Sequence, residues 1–275
     1  MDDIKIAAVC MHSIPGGIER NLARMESFVS KAAADSADIV CFPELSISGY
    51  LTTEPDRLYP ASLYEEIVGR ISDLASAAGL LILAGAIEVP SSGKPYITQV
   101  VAGPQGLLGC YRKTHLSPPE KDAYAAGQTL GLFHYGGVTF GLQLCYEAHF
   151  PELSTVMALG GADVVLMPHA SPWGTPEEKL QSWLRHLPGR AFDNALFVVA
   201  CNQVGTTPQG LSFPGVALCL SPAGRLIGRY TGAREDMLSV VLEGNALKNA
   251  REHRMGYFLP HRRPELYKGL LQALD

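Results

Sequence analysis

LLILAGAIEV at residues 80–89, followed by ITQVVAG at 97–103 and GLLGCY at 106–111, is where the chain changes rhythm. Before it, apolar strand-like runs alternate with helical stretches: IKIAAVCM (4–11), a helix over Ile18–Ser36, DIVCF (38–42), a helix over Leu63–Ala78, then LLILAGAIEV. That order is a βαβ rhythm and predicts parallel strands. Leu22, Met25, Phe28, Val29 and Ala32 recur at spacings of three and four, so the first helix turns one stripe to a core. After residue 97 the strands follow one another directly across Gly103-Pro104-Gln105-Gly106 and, between LFHY and VTFGLQLC, across Gly136-Gly137. Antiparallel pairs have joined the sheet.

The remaining chain supplies a helix after Phe150-Pro151, the strand ADVVLMP, a helix over Pro176–Asn194, the strand LFVVACNQ, and a hairpin in GVALCLSPAGRLIGRY turning on Ser221–Gly224. No Ser/Gly/Pro-rich linker, composition break or fixed-period repeat interrupts it. The expectation is an α/β layered sandwich in one domain over 1–275, with Asn245–Asp275, rich in charge and Pro, as a C-terminal arm lying on the surface or on a partner subunit.

Twenty-two basic against 27 acidic residues leave a net charge of −5, with basic pairs only at Arg112-Lys113 and Arg262-Arg263, which argues against nucleic acid as a partner. The start MDDIKIAAVC places acids where a secretory leader has basic residues, and no apolar run reaches the ~18 residues of a membrane span. A cytoplasmic protein with no membrane partner is expected. Cysteines 10, 41, 110, 145, 201 and 219 show no CxxC and no recurring spacing, against both a disulfide frame and a zinc site. Five of them lie in or beside apolar runs and read as core thiols.

Cys145 is the exception. It closes VTFGLQLC and precedes YEAHFPEL, so it stands where a buried strand ends and a helix begins. Such a turn exposes the thiol, while backbone N–H groups at the helix start favour the thiolate and can donate to an oxyanion; the alternative is one more buried strand-end cysteine. Glu44, in IVCFPELSISGY, follows a strand that Pro43 must stop. A carboxylate directly after that apolar run is desolvated toward the pKa of a general base, unless it is only a cap or surface residue. Lys113, in LLGCYRKTHLSPPE, ends a third strand; alone, a lysine there reads as solvated. Its loop is dense with Thr114, His115, Pro118, Pro119 and Glu120, a composition associated with function. Strand C-terminal ends in α/β sheets gather at one rim. A thiol, a base to deprotonate it and a cation to hold an oxyanion are the parts of acyl transfer through a thioester.

FPEL at Glu44, YRKTHL with Glu120 at Lys113, and LCYEAHFPEL at Cys145 resemble the nitrilase superfamily of carbon-nitrogen hydrolases. GRAFDN (189–194), ACNQVG (200–205) and RRPELY (262–267) extend the resemblance over nearly the whole chain. It implies a four-layer α-β-β-α sandwich of two mixed sheets with outer helices, and pairing of subunits into a homodimer or higher homo-oligomer. It also implies roles: Glu44 as base, Lys113 stabilising the tetrahedral intermediate, Cys145 attacking, Glu120 positioning substrate and lysine, and the backbone N–H of Tyr146 completing an oxyanion hole. No cofactor is implied. Two residues depart from the pattern: His149 stands where arginine is common and Asp193 where glutamate is.

His115, His149 and His169 lack ligand-like spacing, so no metal is expected. Arg190 reads as a structural anchor rather than a substrate clamp. Tyr50, His149, His169 and Trp173, on loops after the strand ends, are the candidate substrate-binding residues. Their mostly apolar or aromatic company, with no paired arginines, favours an uncharged small molecule. The expected function is hydrolysis of a small linear amide or N-carbamoyl compound. The competing readings are a nitrilase, suggested by Glu147 after Cys145-Tyr146, and a non-catalytic scaffold or binding protein on the same fold.

Overall fold

Period-two alternation along the apolar runs decides how the layers stack. In the computed structural model, which describes residues 1–267 apart from the side chain of Asp56, the strand Val164–His169 sends Val164 and Leu166 to one core and Val165 and Met167 to another. Phe197–Asn202 does the same, Phe197, Val199 and Cys201 facing the first core and Val198 and Ala200 the second. A strand apolar on both faces must be covered on both. One face meets a second sheet; the other meets helices that contribute Trp183, Leu187 and Ala191.

The first half comprises β1 (Ile4–Cys10), α1 (Ile18–Ala34), β2 (Ile39–Cys41), α2 (Pro55–Leu58), α3 (Ala61–Ala78), β3 (Leu81–Glu88), β4 (Tyr96–Gly103) and β5 (Gly106–Arg112). The second comprises β6 (Gly131–Tyr135), β7 (Val138–Leu142), α4 (Pro151–Leu159), β8 (Val164–His169), α5 (Pro176–Trp183), α6 (Leu187–Asn194), β9 (Phe197–Asn202), β10 (Gly205–Thr206), β11 (Ser212–Phe213), β12 (Gly215–Leu220), β13 (Leu226–Gly232), β14 (Asp236–Leu242) and α7 (Gly244–Glu252).

One sheet runs β14-β1-β2-β3-β4-β5 and the other β13-β12-β9-β8-β7-β6. In each, a parallel trio carries antiparallel strands at both ends: β1, β2 and β3 in the first sheet, β7, β8 and β9 in the second. α3 lies on the first sheet beside α1, while β1 meets β9 and β12 across the interior. The result is the expected α-β-β-α sandwich. Parallel trios bring the ends of β2, β7 and β8 to a common region, which positions the site.

The stripe expected on α1 is buried at all five positions. The helix expected over Pro176–Asn194 is two: α5 stops at Trp183 and α6 restarts at Leu187 with Pro188 in its first turn. Proline has no N–H for a carbonyl four residues back and its ring clashes there, so the register cannot run through. Cys10, Cys41, Cys201 and Cys219 are buried thiols as expected. Cys110 is not; it is exposed on β5, which lies at the edge of its sheet. The segment expected as an arm opens with α7, whose Leu247 is buried and whose Arg251 pairs with Asp163 at 2.8 Å. Its final part, 268–275, lies outside the described residues. Among the described residues no helix is long and apolar enough to cross a membrane.

Candidate active site

Glu44 is delivered by a strand that stops where Pro43 requires: β2 ends at Cys41. The chain then turns through Leu45 at φ 53° and lies directly on β3, where a Cβ on Gly85 would come 2.2 Å from the Leu45 nitrogen. Only glycine admits that approach. The carbonyl of Glu44 accepts from Gln203 Nε2 at 2.8 Å, and its Oε2 accepts the backbone N–H of Ala170 at 3.0 Å. Lys113 continues the line of β5, donating its N–H to Ile97 O at 2.9 Å. Gly127 donates to Lys113 O at 2.8 Å, and a Cβ there would meet Arg112 O at 2.2 Å.

These turns bury three charged groups together. Lys113 Nζ donates to Glu44 Oε1 at 2.7 Å and to Glu120 Oε2 and Oε1 at 2.9 and 3.0 Å. Neither Lys113 nor Glu44 has any exposed surface, and Glu120 has 1%. Read singly, Lys113 was expected in solvent; the two carboxylates reverse that, since an ammonium can be buried when its donors are all taken by anionic oxygens. Glu120 is itself fixed by the N–H of Ser117 at 2.7 Å and by the hydroxyl of Tyr50 at 3.4 Å.

One cation between two carboxylates leaves one negative charge unbalanced. Burial pushes the Glu44 carboxyl up to about 7, the Lys113 charge opposing and the Glu120 charge adding. For Lys113 burial works downward, but Glu44 and Glu120 outweigh it and hold the ammonium well above its ordinary range.

Cys145 follows β7 by three residues and adopts φ 45°, the left-handed region. For a side chain with a Cβ this conformation costs on the order of 1–2 kcal/mol. It opens a 3-10 turn over Cys145–His149 whose first bond runs from Glu147 N to Leu144 O, leaving the N–H of Tyr146 outside the turn's own bonding. Burial and then the Glu44 charge raise the thiol above its ordinary value, with Lys113 and the Ala170 N–H pulling the other way. The N–H groups of the turn, expected to favour the thiolate, do not outweigh this burial, and the expected base is needed to take the thiol proton.

A cavity of about 340 Å³ opens over this cluster. Cys145, Tyr146 and Glu120 form part of its wall, while Glu44 and Lys113 lie just behind. Tyr50, His149, His169 and Trp173 all line it. His169 is buried, its Nδ1 against Met167 O at 2.7 Å and its ring 4.3 Å from Trp183; burial lowers its pKa to about 3, so it is neutral. His149 stacks on His186 at 4.5 Å, so this departure from the family pattern falls on the cavity wall. Trp173 is a rim residue, 61% exposed. Arg190 donates to Ala148 O and His149 O, both at 3.1 Å, anchoring the turn from behind as the structural reading held. Asp193 acts on Arg190 through its charge. Among the described residues no group of three or more His, Cys, Asp or Glu is placed to hold a metal ion.

Glu147 has a part in the site that the sequence reading did not assign to it. Fully buried, its Oε1 accepts from Tyr111 Oη at 2.8 Å, Thr114 N at 2.8 Å, the Thr114 hydroxyl and His115 N, and its Oε2 accepts from Leu144 N at 2.6 Å. One carboxylate thus ties the loop after Lys113 to the turn of Cys145. Its place three residues after Leu144, where a glutamate reaches back to the residue before a turn, was the available signal. Glu147→Ala orphans these donors; a loss of about 3–5 kcal/mol is expected in urea unfolding. Glu147→Gln should recover part of it.

Comparison with known proteins agrees with this geometry. The family model described as Carbon-nitrogen hydrolase matches residues 5–251. The chain belongs to the carbon-nitrogen hydrolase family. It is similar to an (R)-stereoselective amidase of Pseudomonas sp., 29% identical over 251 residues that cover 90% of this chain and 88% of the other. It is also similar to a nitrilase of Pyrococcus abyssi, 28% identical over 275 residues covering 96% and 99%. A solved amidase from Nesterenkonia sp. AN1 superposes with a TM-score of 0.86 at 25% identity, over 97% of this chain and 99% of that one. As a carbon-nitrogen hydrolase this protein is an enzyme, and the scaffold reading is set aside.

Proposed function

We propose that the protein is an amidase that hydrolyses a small linear amide or N-carbamoyl compound through a thioester on Cys145. The observation that carries this reading is the fully buried Glu44–Lys113–Glu120 cluster set against a cysteine on a left-handed turn at one small cavity.

Glu44 Oε takes the Cys145 thiol proton as sulfur adds to the amide carbonyl carbon. The Lys113 ammonium and the Tyr146 N–H bind the oxyanion. The tetrahedral intermediate collapses as Glu44 returns its proton to the nitrogen, the C–N bond breaks and ammonia or an amine leaves. Water then loses a proton to Glu44 and adds to the thioester, and collapse releases the acid while the proton returns to sulfur. Glu120 holds Lys113 in place throughout. The desolvated thiol suits this sequence, because attack is coupled to a base whose own pKa lies near neutrality.

Glu44 must be ionised to act. With its carboxyl at about 7, kcat/KM is expected to climb as pH rises from 5.5 to 8, about tenfold per unit on the acid side. A flat acid limb removes Glu44 as the base. Ammonia release from a panel of short amides, ureido acids and nitriles tests the assignment: release from amides or ureido acids but not from nitriles is expected, and the reverse pattern makes the enzyme a nitrilase.

A further inference from the structure

The cavity holds a second lysine. Lys179, on α5, lines the same wall as Cys145. Its Nζ donates to Ser171 Oγ at 2.8 Å and Pro172 O at 3.0 Å, which fixes the ammonium one and two residues beyond the Ala170 N–H that binds Glu44. An ammonium has three N–H donors, and two are accounted for. Both partners are neutral, and among the described residues no carboxylate pairs with it. The other basic side chains on this wall add no positive charge near neutral pH: burial holds His186 at about 4 and His169 at about 3, and lowers His149 as well.

The two lysines therefore differ. Lys113, just behind the wall, is neutralised by two carboxylates, whereas Lys179 is a half-buried cation on that wall with no carboxylate partner among the described residues. A charge withdrawn from water without a partner is unfavourable, and an anion entering the cavity would relieve it. Resting on the amidase reading and taking it further, we infer that Lys179 selects substrates carrying a carboxylate in addition to the scissile amide, such as the monoamide of a short dicarboxylic acid or a ureido acid. This reverses the expectation of an uncharged substrate, which followed from the absence of paired arginines near the strand ends. Lys179 sits mid-helix in PEEKLQSW beside acidic neighbours, and the sequence analysis did not single it out.

The test compares succinamate with its neutral methyl-ketone analogue levulinamide, and N-carbamoyl-β-alanine as the ureido source, in the wild type, Lys179→Met and Lys179→Arg. The wild type is expected to favour a carboxylate substrate over levulinamide in kcat/KM by at least about tenfold, and Lys179→Met to lose most of that ratio while Lys179→Arg keeps it. Which carboxylate substrate is turned over separates the amide source from the ureido source. Calorimetric binding of succinamate to the Cys145→Ala protein, with and without Lys179→Met, gives an answer independent of turnover. Lysine-dependent binding without hydrolysis in the wild type would overturn the amidase reading and leave the anion site standing. A preference ratio and a binding constant both unmoved by Lys179→Met would overturn the anion site.

Discussion

Cys145→Ala is expected to lower amide hydrolysis by at least about 10⁴-fold while leaving the unfolding midpoint close to that of the wild type. The variant removes one sulfur from a cavity wall. It keeps the left-handed backbone at 145, the Glu147 clamp and the buried Lys113 cluster, so the fold has little reason to respond. Cys145→Ser is expected to be a poor substitute, because a serine hydroxyl is a far weaker acid and a weaker nucleophile than the thiol it replaces. Cys110→Ala is the matched control: that thiol is exposed on a sheet edge away from the cavity. Steady-state ammonia release together with urea unfolding checks all three. Full activity in Cys145→Ala would remove the thioester mechanism.

Lys113→Met carries the second large effect, and it strikes both activity and stability. Without the ammonium the oxyanion loses its charged partner, a loss of about 10²–10³ in kcat by analogy with removal of one oxyanion donor. Glu44 and Glu120 are also left facing each other without exposed surface. Removing one partner of a buried ion pair costs about 3–5 kcal/mol. The sign of the pH dependence follows. With the cation gone, nothing offsets the burial that already raises the Glu44 carboxyl, which is held above its unfolded value of about 4.3. Stability is then fully present below that value and is lost as pH rises through the raised folded value. Urea midpoints of Lys113→Met are therefore expected to lie well below the wild type at pH 8 and to approach it at pH 5. A pH-independent difference would mean that the methionine is simply misfitted and that the carboxylates do not depend on the lysine.

How much of this was legible before the fold was known differs by residue. The stripe on α1, the halt of β2 before Pro43 and the hairpin at Gly136-Gly137 rest on local rules and appear as read. The break between α5 and α6 was written at Pro188, but the apolar periodicity on either side of it concealed the interruption. The three reactive strand ends were visible one by one; what brings them together is long-range topology. Burial of Lys113 depends on Glu44, 69 residues away, and no local signal reports that pairing. Glu147 was seen only as part of a string after the cysteine, since its five donors come from three separate stretches. Cys110 sits in an apolar run whose strand proves to be an edge, and a run does not show which strand is outermost. Lys179 was not singled out: its helix is charged, and only the packing of α5 over Ser171 and Pro172 turns the ammonium to the cavity.

The central claim is that an acyl group passes through the sulfur of Cys145. Intact-protein and peptide mass spectrometry of wild type and Cys145→Ser, quenched in acid after exposure to short amides and ureido acids, addresses it directly. The wild type should gain the mass of the acyl half of its substrate on the peptide carrying Cys145, with at least an equal amount of ammonia or amine released, and Cys145→Ser should gain none there. Turnover in the wild type with that peptide unmodified at every quench time, or the same mass found on Cys110 as readily as on Cys145, would contradict it.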